Sequence, residues 1–231
     1  PARASGRRTV VIDAGHGGRD PGAVGRTLGL HEKEVVLDTA LKLRDALEQR
    51  GQYRVVLTRD ADRYVEHAER VRISRDANAD LFISIHADAN ANAEACGASV
   101  YTVNERGARR GQAMLGDTID LGATPVRGQA RDVLVDLFQR ETTNRSAQFA
   151  EIVIPRLGAV APLLRNTHRS ANLYVLLAPD VPAVLIETGF LTNAEDERRL
   201  SRPAERAAIA RAIADAADAY FAAPQLYAEG A

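Results

Sequence analysis

The hydrophobic positions of this 231-residue chain form short apolar runs that alternate with stretches of helical spacing. Short runs rich in β-branched residues are typical of buried strands, whereas apolar residues three and four positions apart are typical of amphipathic helices. Strands that alternate with helices predict one α/β domain with a mainly parallel sheet covered by helices on both faces. The predicted strands are 9–13, 53–58, 81–86, 98–103, 173–177 and 183–188, and the predicted helices are 32–51, 67–79, 132–140, 146–157 and 204–222.

The middle of the chain departs from this alternation. Between 104 and 172, polar, glycine-containing and arginine-rich segments surround two helix-like runs, and no strand is evident. We therefore predict that 104–172 is a helical insert in a domain that spans 9–223. The flanking 1–8 and 224–231 are predicted to be a linker-like N-terminus and a C-terminal tail.

Charge and composition argue against several classes of partner. Lys plus Arg number 30 and Asp plus Glu number 31, so no strong net field would draw the chain to nucleic acid or to an anionic membrane. The most apolar stretch, 152–164, contains Arg156 and two prolines, which argues against a membrane span. Cys96 is the only cysteine, which excludes an intramolecular disulfide and a thiolate zinc cage. Residues 1–8 have no apolar run after their basic residues and no initiator Met, so we expect a trimmed end without a signal peptide.

Three ionisable side chains stand where predicted strands end. His16 follows the first strand, His86 is the last residue of the third, and Glu187 lies at the end of the last. Because loops at the carboxyl ends of parallel strands converge, this topology predicts that the three residues meet despite their separation in sequence. Glu32, which opens the first helix, adds a second carboxylate. Two imidazoles and one carboxylate are a typical donor set for catalytic zinc, since they leave one coordination position for water.

Each of these residues also has an ordinary structural explanation. Glu32 is favoured by the helix dipole at a helix N-terminus, and a core histidine such as His86 is often satisfied by a backbone carbonyl. His31 is a second candidate ligand beside Glu32, and Asp88 is close enough in sequence to orient the His86 imidazole. Glu187 follows four apolar residues, and its burial would be costly unless a cation or a reacting water gave it a partner.

The glycine-rich loop around His16 has one competing interpretation. Gly15 and Gly17 begin the pattern of a dinucleotide-binding loop, and a lone histidine in a loop is usually only a solvated side chain. The third glycine of that pattern would fall at Asp20, and Pro21 follows where a phosphate-binding helix should be under way. The nucleotide-binding interpretation therefore fails.

Four segments, in one order, resemble the zinc-dependent N-acetylmuramoyl-L-alanine amidases of the cell-division type, with the amidase_3 catalytic domain. The resemblance implies that His16, Glu32 and His86 are the ligands of one zinc ion and that Glu187 is the essential carboxylate. It also implies a single α/β domain with a mixed, mainly parallel sheet flanked by helices on both faces. The segments are VVIDAGHGGRDPGAVG (10–25), HEKEVVLDTALKL (31–43), ERVRISRDANADLFISIHADA (69–89) and LYVLLAPDVPAVLIETGFLTNAEDERRL (173–200).

The activity that the resemblance implies is hydrolysis of the amide between the lactyl group of N-acetylmuramic acid and L-alanine in peptidoglycan. It would serve cell-wall remodelling and daughter-cell separation in the bacterial periplasm, with zinc activating a water and Glu187 moving its proton. Arg70 and Asn78 also match the family pattern, and we assign them structural roles. Two alternatives stay open: a zinc peptidase that cuts within the stem peptide, and a wall-binding or activator-binding module that has lost catalysis.

Amidases of the division type carry a helical segment between the second histidine and the last strand. In them it covers the site until an activator with a LytM-type domain displaces it, so the resemblance implies such a partner here. Residues 111–148 are the best candidate for that segment, and a helix that simply packs on the domain is the alternative. Asp117, Asp120 and Glu141 are the candidates for a carboxylate that blocks the open zinc position.

Overall fold

The apolar runs form a six-stranded sheet in the computed structural model, which describes residues 6–113, 119–120, 125–126 and 128–223. In chain order the strands are β1 Arg8–Ala14, β2 Tyr53–Leu57, β3 Leu81–Asp88, β4 Ala98–Val103, β5 Ile119–Asp120, β6 Pro125–Val126, β7 Leu163–Ala171 and β8 Ala183–Phe190. The helices are α1 Glu32–Glu48, α2 His67–Asp76, α3 Glu105–Gln112, α4 Gly128–Gly158, α5 Ala194–Ser201 and α6 Pro203–Ala222, with a 3-10 helix at Tyr174–Leu176.

The strand order of the sheet is β2, β1, β3, β8, β4, β7, and β5 pairs with β6 in a separate two-stranded ladder. The first four strands in this order are parallel neighbours, β4 runs antiparallel to β8, and β7 runs parallel to β4. The predicted mixed, mainly parallel sheet is therefore confirmed. Because β1, β3 and β8 point the same way, the loops that leave their carboxyl ends meet at one edge of the sheet.

Helices cover both faces of the sheet, as predicted. On one face, α1, α4 and α6 pack on the strands, and α1 contributes Val36 and Leu43 to a continuous apolar cluster. On the other face, α2 and the 3-10 helix contribute Val71 and Leu176, which join a smaller cluster around Phe82. Complete burial of such side chains contributes roughly 1.5–3 kcal/mol each, so two independent cores hold the sheet between them.

Helix α4 joins the two predicted helical runs of the insert into one helix of 31 residues. Val135, Gln139, Thr142 and Ser146 are all buried, and they recur at the spacing of one helical face. The face therefore continues through the polar stretch where the sequence pattern indicated a break. The second part of the candidate covering segment 111–148 is therefore packed on the domain, and its displacement by an activator stays a prediction.

Two predictions for the insert and its neighbour were wrong. β7 lies in the region where no strand was predicted, and its sequence LLRNTHRSA is polar because it is an edge strand that pairs only with β4. The predicted strand 173–177 instead contains the 3-10 helix. A short apolar run is compatible with either a strand or a buried helical turn, so the sequence pattern could not distinguish the two. Among the described residues, no helix has an apolar stretch long enough to cross a bilayer.

Candidate metal centre

His16 lies in a tight loop after β1 whose backbone is held by two buried arginines. Arg70 donates hydrogen bonds to the carbonyl oxygens of Ala14 (2.6 Å) and His16 (2.7 Å). Arg59 donates to those of Ala14 (2.9 Å) and Gly15 (2.7 Å). His16 has a φ of 58°, a left-handed conformation that costs a non-glycine residue roughly 1–3 kcal/mol. The charged hydrogen bonds offset that cost and fix the direction in which the imidazole leaves the loop.

Arg70 is itself held by a buried carboxylate on β1. Asp13 accepts hydrogen bonds from Arg70 (2.5 Å), Thr58 (2.6 Å) and Ser84 (2.7 Å). Burial alone would raise the pKa of Asp13, but the Arg70 charge and the two hydroxyl donors outweigh it, so the pKa is lowered. The network ties α2 to β1 and β3 directly below the His16 loop, which is the structural role that we assigned to Arg70.

Gly15 allows the His86 ring to approach the same loop. A Cβ atom at position 15 would lie 2.3 Å from Cε1 of His86, closer than any real contact allows. Gly22 plays a similar part on the other side, where a Cβ atom would lie 2.5 Å from Oε2 of Glu32. These glycines are therefore needed for close approach to the ionisable side chains.

Glu32 is buried at the first position of α1, where the chain holds both of its oxygens. Its Oε1 accepts the backbone N–H of Ala87 (3.0 Å), and its Oε2 accepts that of Ala23 (2.8 Å). Ala87 follows His86 on β3, so this bond fastens the start of α1 to the strand that carries the second histidine. The carboxylate is thus fixed as a double acceptor before any ligand binds.

The structure brings His16, Glu32 and His86 together, although 70 residues of sequence separate the outer two. Oε1 of Glu32 lies 3.0 Å from Nε2 of His16 and 2.9 Å from Nδ1 of His86. One donor atom from each of the three residues lies within 4.8 Å of the other two. Two imidazole nitrogens and one carboxylate oxygen at this separation fit the ligand set of a catalytic zinc ion.

The electrostatics of this cluster favour a charged carboxylate among imidazoles. Burial acts to raise the pKa of Glu32, but hydrogen bonds and charge from His16 and His86 lower it well below its usual range. Burial acts to lower the pKa of His16, but Glu32 and Asp20 raise it. Nδ1 of His16 lies 2.8 Å from Oδ2 of Asp20, so a second carboxylate orients this ring from behind. The sequence analysis missed Asp20 and Arg59, and the only local signal for Asp20 was its i+4 spacing from His16.

Glu187 lies beside the cluster, directly opposite His86 in the ladder between β3 and β8. Its Oε2 atom is buried and has no hydrogen-bond partner among the described residues. Burial raises the pKa of Glu187 well above its usual value, and the nearby charges of Glu32 and Asp88 raise it further. A buried, unpaired carboxyl oxygen is costly, so Glu187, opposite His86 in the ladder, stays a candidate for a functional residue.

The structure does not give the alternative residues the contacts that were considered for them. His31 is the N-cap residue of α1 and lies outside the group of donor atoms, which contains Glu32 instead. Asp88 accepts the backbone N–H of Ala89 (2.7 Å), while Nδ1 of His86 faces Glu32. The orienting role proposed for Asp88 therefore has no hydrogen bond to support it in the described part of the chain.

The structure describes the three candidate blocking carboxylates to different extents. Asp117 lies outside the described residues, and for Asp120 the structure describes the backbone of β5 alone. Glu141 is described, and it forms an ion pair of 2.6 Å with Arg145, one turn further along α4.

The course of α4 excludes Glu141 from the site. Ser146, one turn and more after Glu141, accepts the N–H of Ala183 at the beginning of β8 (2.9 Å). The helix then runs toward Leu163, which lies beside the strand residues that face Glu187. Glu141 is therefore beyond the opposite end of β8 from Glu187, and its selection as a blocking residue was wrong.

Comparison with known proteins shows similarity over almost the whole chain. Residues 10–219 match the family model Amidase_3, described as N-acetylmuramoyl-L-alanine amidase. The chain is 40% identical over 227 residues to N-acetylmuramoyl-L-alanine amidase AmiA of Escherichia coli K12, covering 95% of this chain and 78% of that protein.

Solved structures show the same architecture. N-acetylmuramoyl-L-alanine amidase AmiC2 of Nostoc punctiforme superposes with a TM-score of 0.71 and 33% identity, covering 94% of this chain and 99% of that one. The CwlD amidase from Clostridioides difficile, solved in complex with the GerS lipoprotein, gives a TM-score of 0.72 at 25% identity, covering 93% and 98%. The fold and the cluster of ionisable residues thus define an α/β enzyme domain of the amidase class. The chain belongs to the Amidase_3 family of N-acetylmuramoyl-L-alanine amidases.

Proposed function

We propose that this chain is a zinc-dependent amidase that hydrolyses the bond between the lactyl group of N-acetylmuramic acid and L-alanine in peptidoglycan. Membership of the amidase family supports the reaction class. One observation carries the mechanism: three fixed donor atoms lie within 4.8 Å of one another, beside the unpaired buried oxygen of Glu187. That combination supports a metal-assisted hydrolase rather than a module that binds without catalysis.

The donor set supports zinc as the metal. His16 Nε2, Glu32 Oε1 and His86 Nδ1 are the atoms that face one another, and they would hold one ion. When bound, zinc would supply Lewis-acid activation of the amide carbonyl and of a water molecule. The carboxylate of Asp20 and the backbone donors to Glu32 would keep these ligands in place.

Glu187 would carry the proton. It takes a proton from the attacking water as the new C–O bond forms, and it delivers that proton to the alanine nitrogen as the C–N bond breaks. The products are a free lactyl carboxylate on the sugar and a peptide with an N-terminal alanine. A carboxyl group whose pKa is raised by burial is suited to this exchange near neutral pH.

The Glu187→Gln substitution tests the mechanism. We expect the variant to retain about one zinc ion per chain while turnover of purified peptidoglycan falls at least roughly a hundredfold, because amide oxygens accept no proton from water. Glu48→Gln, at an exposed position on α1, is the matched control and should leave both quantities unchanged. Full activity of Glu187→Gln would remove Glu187 from the reaction.

Product masses separate this proposal from the zinc peptidase. An amidase releases intact stem peptides that begin with alanine, whereas a peptidase leaves alanine on the sugar. Zinc bound together with peptide fragments cut inside the stem would support the peptidase instead.

We further propose that the catalytic domain spans 9–223 and that part of the insert restrains it until an activator of the LytM type binds. The CwlD amidase, solved with the GerS lipoprotein, is a relative that binds a partner protein and supports this idea. With Glu141 excluded, Asp117 and Asp120 are the remaining candidates for blocking the zinc position. Because its substrate would be peptidoglycan, we propose that the enzyme acts in the periplasm, during daughter-cell separation.

The restraint is tested without disturbing α4. Replacement of 114–127 by a glycine-serine linker of equal length removes both aspartates and leaves the packed face of α4 intact. We expect higher basal activity on purified cell walls, and Asp117→Asn and Asp120→Asn should show which carboxylate is responsible. Unchanged basal activity in the folded linker variant would overturn the restraint but not the amidase reaction.

A further inference from the structure

One face of the sheet carries ionisable side chains beyond the proposed zinc site. His86 lies opposite Glu187 in the ladder of β3 and β8, and Tyr101 on β4 lies opposite Arg169 on β7. Glu187 lies opposite Ser99 in the β4–β8 ladder, and Tyr101 is two positions after Ser99 on β4, so the side chains of Tyr101 and Glu187 share a face of the sheet. The face that bears Glu187 therefore extends across β4 to Arg169.

Arg169 is held on this face by an aromatic ring. Its guanidinium carbon lies 5.1 Å from the centroid of the Tyr101 ring, and the side chain is half-buried. Among the residues that the structure describes, Arg169 forms no ion pair and no side-chain hydrogen bond, and its contact with the Tyr101 ring is the interaction that holds it. Because no described residue accepts a hydrogen bond from it, the Arg169 guanidinium can present its N–H groups to a planar acceptor with two oxygens.

The surroundings of Arg169 are acidic. Glu187 shares this face of the sheet with Arg169, the Glu32 carboxylate lies 2.9 Å from the His86 ring opposite Glu187, and Asp88 follows His86 on the same strand. A negatively charged substrate group would be repelled by the three carboxylates. On the side of the site toward β7, the positive charge of Arg169 would instead attract such a group.

We propose that Arg169, which lies over the Tyr101 ring, binds the free carboxylate of an acidic residue next to the L-alanine of the stem peptide. This inference rests on the proposed amidase function and names the substrate group that the site selects. Two strand spacings and two residues of rise put the backbones of Glu187 and Arg169 roughly 12 Å apart, and the long arginine side chain shortens that span. An extended peptide covers the remainder in about two residues, so the recognised carboxylate lies immediately beyond the alanine.

Binding to an inactive enzyme tests the inference without turnover. The ligands are the γ-methylamides of N-acetylmuramoyl-L-alanyl-D-glutamate and of its amidated form, N-acetylmuramoyl-L-alanyl-D-isoglutamine, so that the first has one free carboxylate and the second has none. Each is titrated calorimetrically into zinc-loaded Glu187→Gln protein that carries Arg169, Arg169→Lys or Arg169→Met. We expect the protein with Arg169 to bind the carboxylate form roughly ten- to a hundredfold more tightly than the amide, because charged hydrogen bonds add that much.

The arginine variants separate charge from shape. Arg169→Met should bind both ligands equally, and Arg169→Lys should retain part of the preference, since lysine keeps the charge but loses the two-toothed geometry. Arg211→Met, at an exposed position on α6 on the other side of the sheet, is the control and should keep the full preference. The same preference in Arg169→Met would overturn the inference.

Turnover measurements exclude a purely positioning role. In the active enzyme, we expect Arg169→Met to raise KM for the carboxylate substrate while KM for the amide substrate and the pH profile of kcat stay unchanged. An equal fall of kcat for both substrates with a shifted pH profile would show that Arg169 acts through Glu187, and would overturn substrate binding. Failure of both ligands to bind the Arg169 protein, or equal binding of both, would overturn this inference alone, whereas the absence of alanine-terminated peptides from digested peptidoglycan would overturn the proposed function itself.

Discussion

The region around the His16 loop and the N-terminal part of α4 are both rich in charge, but they use it in opposite ways. Beneath the loop, Arg59 and Arg70 are buried and spend their donors on backbone carbonyls and on Asp13. On α4, Arg140 pairs with Asp136 at 2.8 Å, yet the two side chains are 74% and 51% exposed. Buried charges hold the backbone in place in the first region, whereas the charges of the second region are exposed to solvent and contribute little to its stability.

Apolar side chains show the same contrast. The ligand-bearing strands bury their apolar residues completely, but the first half of α4 leaves Val133, Leu137 and Phe138 61%, 56% and 40% exposed. The other half of the same helix buries Phe149 in the main core. Burial is thus concentrated where donor atoms must hold a geometry, and among its described residues α4 buries its large apolar side chains mainly where it meets the sheet.

The largest expected difference between the two regions comes from one change made in each. Arg70→Met leaves Asp13 buried without its cation and frees the His16 loop, so it should lower the free energy of unfolding by roughly 3–5 kcal/mol. It should also weaken zinc binding. Arg140→Met removes an exposed pair and should cost under about 1 kcal/mol. Urea unfolding and zinc titration of both variants measure this, and similar losses would contradict the contrast.

The two phenylalanines of α4 sharpen the comparison within a single helix. Phe149→Ala empties a fully buried position and should cost roughly 3–5 kcal/mol. Phe138→Ala truncates an exposed side chain and should change stability by no more than about 0.5 kcal/mol. Thermal unfolding of the pair checks both values, and a large loss for Phe138→Ala would mean that this surface is packed.

A smaller effect is expected from the carboxylate that orients His16. Asp20→Asn keeps the shape but weakens the contact to Nδ1 of His16, so zinc affinity should fall roughly 10- to 100-fold with little change in stability. Asp45→Asn, at an exposed position on α1, is the control and should leave the affinity unaltered. Competition with a chelator gives both numbers, and equal affinities would leave Asp20 without an orienting role.

The smallest effect is on the pH dependence of stability. The pKa of Asp13 is lowered below its ordinary value of 3.8, so its contribution is complete above that value and is lost as the pH falls through the folded-state pKa. Between pH 5 and acid conditions near about pH 3, the parent protein should therefore lose more stability than Asp13→Asn. Urea midpoints at the two pH values test this, and parallel losses would place the acid sensitivity elsewhere.

Local pattern was sufficient to predict the elements that carry the chemistry. His86 and Glu187 end apolar runs, and Glu32 opens an amphipathic helix, so each was visible within ten residues of sequence. β7 and the continuity of α4 were not visible. The edge strand β7 is polar because one side of it has no neighbour, and α4 buries polar residues such as Gln139 on its packed face.

Two arginines near the site, Arg59 and Arg169, could not be predicted from the sequence for a different reason. Arg59 lies 43 residues after His16 and donates a hydrogen bond to its loop. Arg169 lies on the face of the sheet that bears Glu187, but it belongs to an insert that the sequence pattern predicted to be helical. Nothing in the neighbourhood of either arginine marks it. Their roles depend on which strands become neighbours, and that is settled by the whole sheet.

By itself, the sequence determined the fold class, the order of the main strands and helices, and the residue types at the strand ends, because apolar spacing and strand polarity are local properties. Only the tertiary structure decided that Oε1 of Glu32 lies within 3.0 Å of both imidazoles, that Asp20 rather than Asp88 contacts a histidine, and that Glu141 is at the wrong end of β8. Distances of this kind arise from packing between segments far apart in the chain, where burial and charge pairing outweigh local preference.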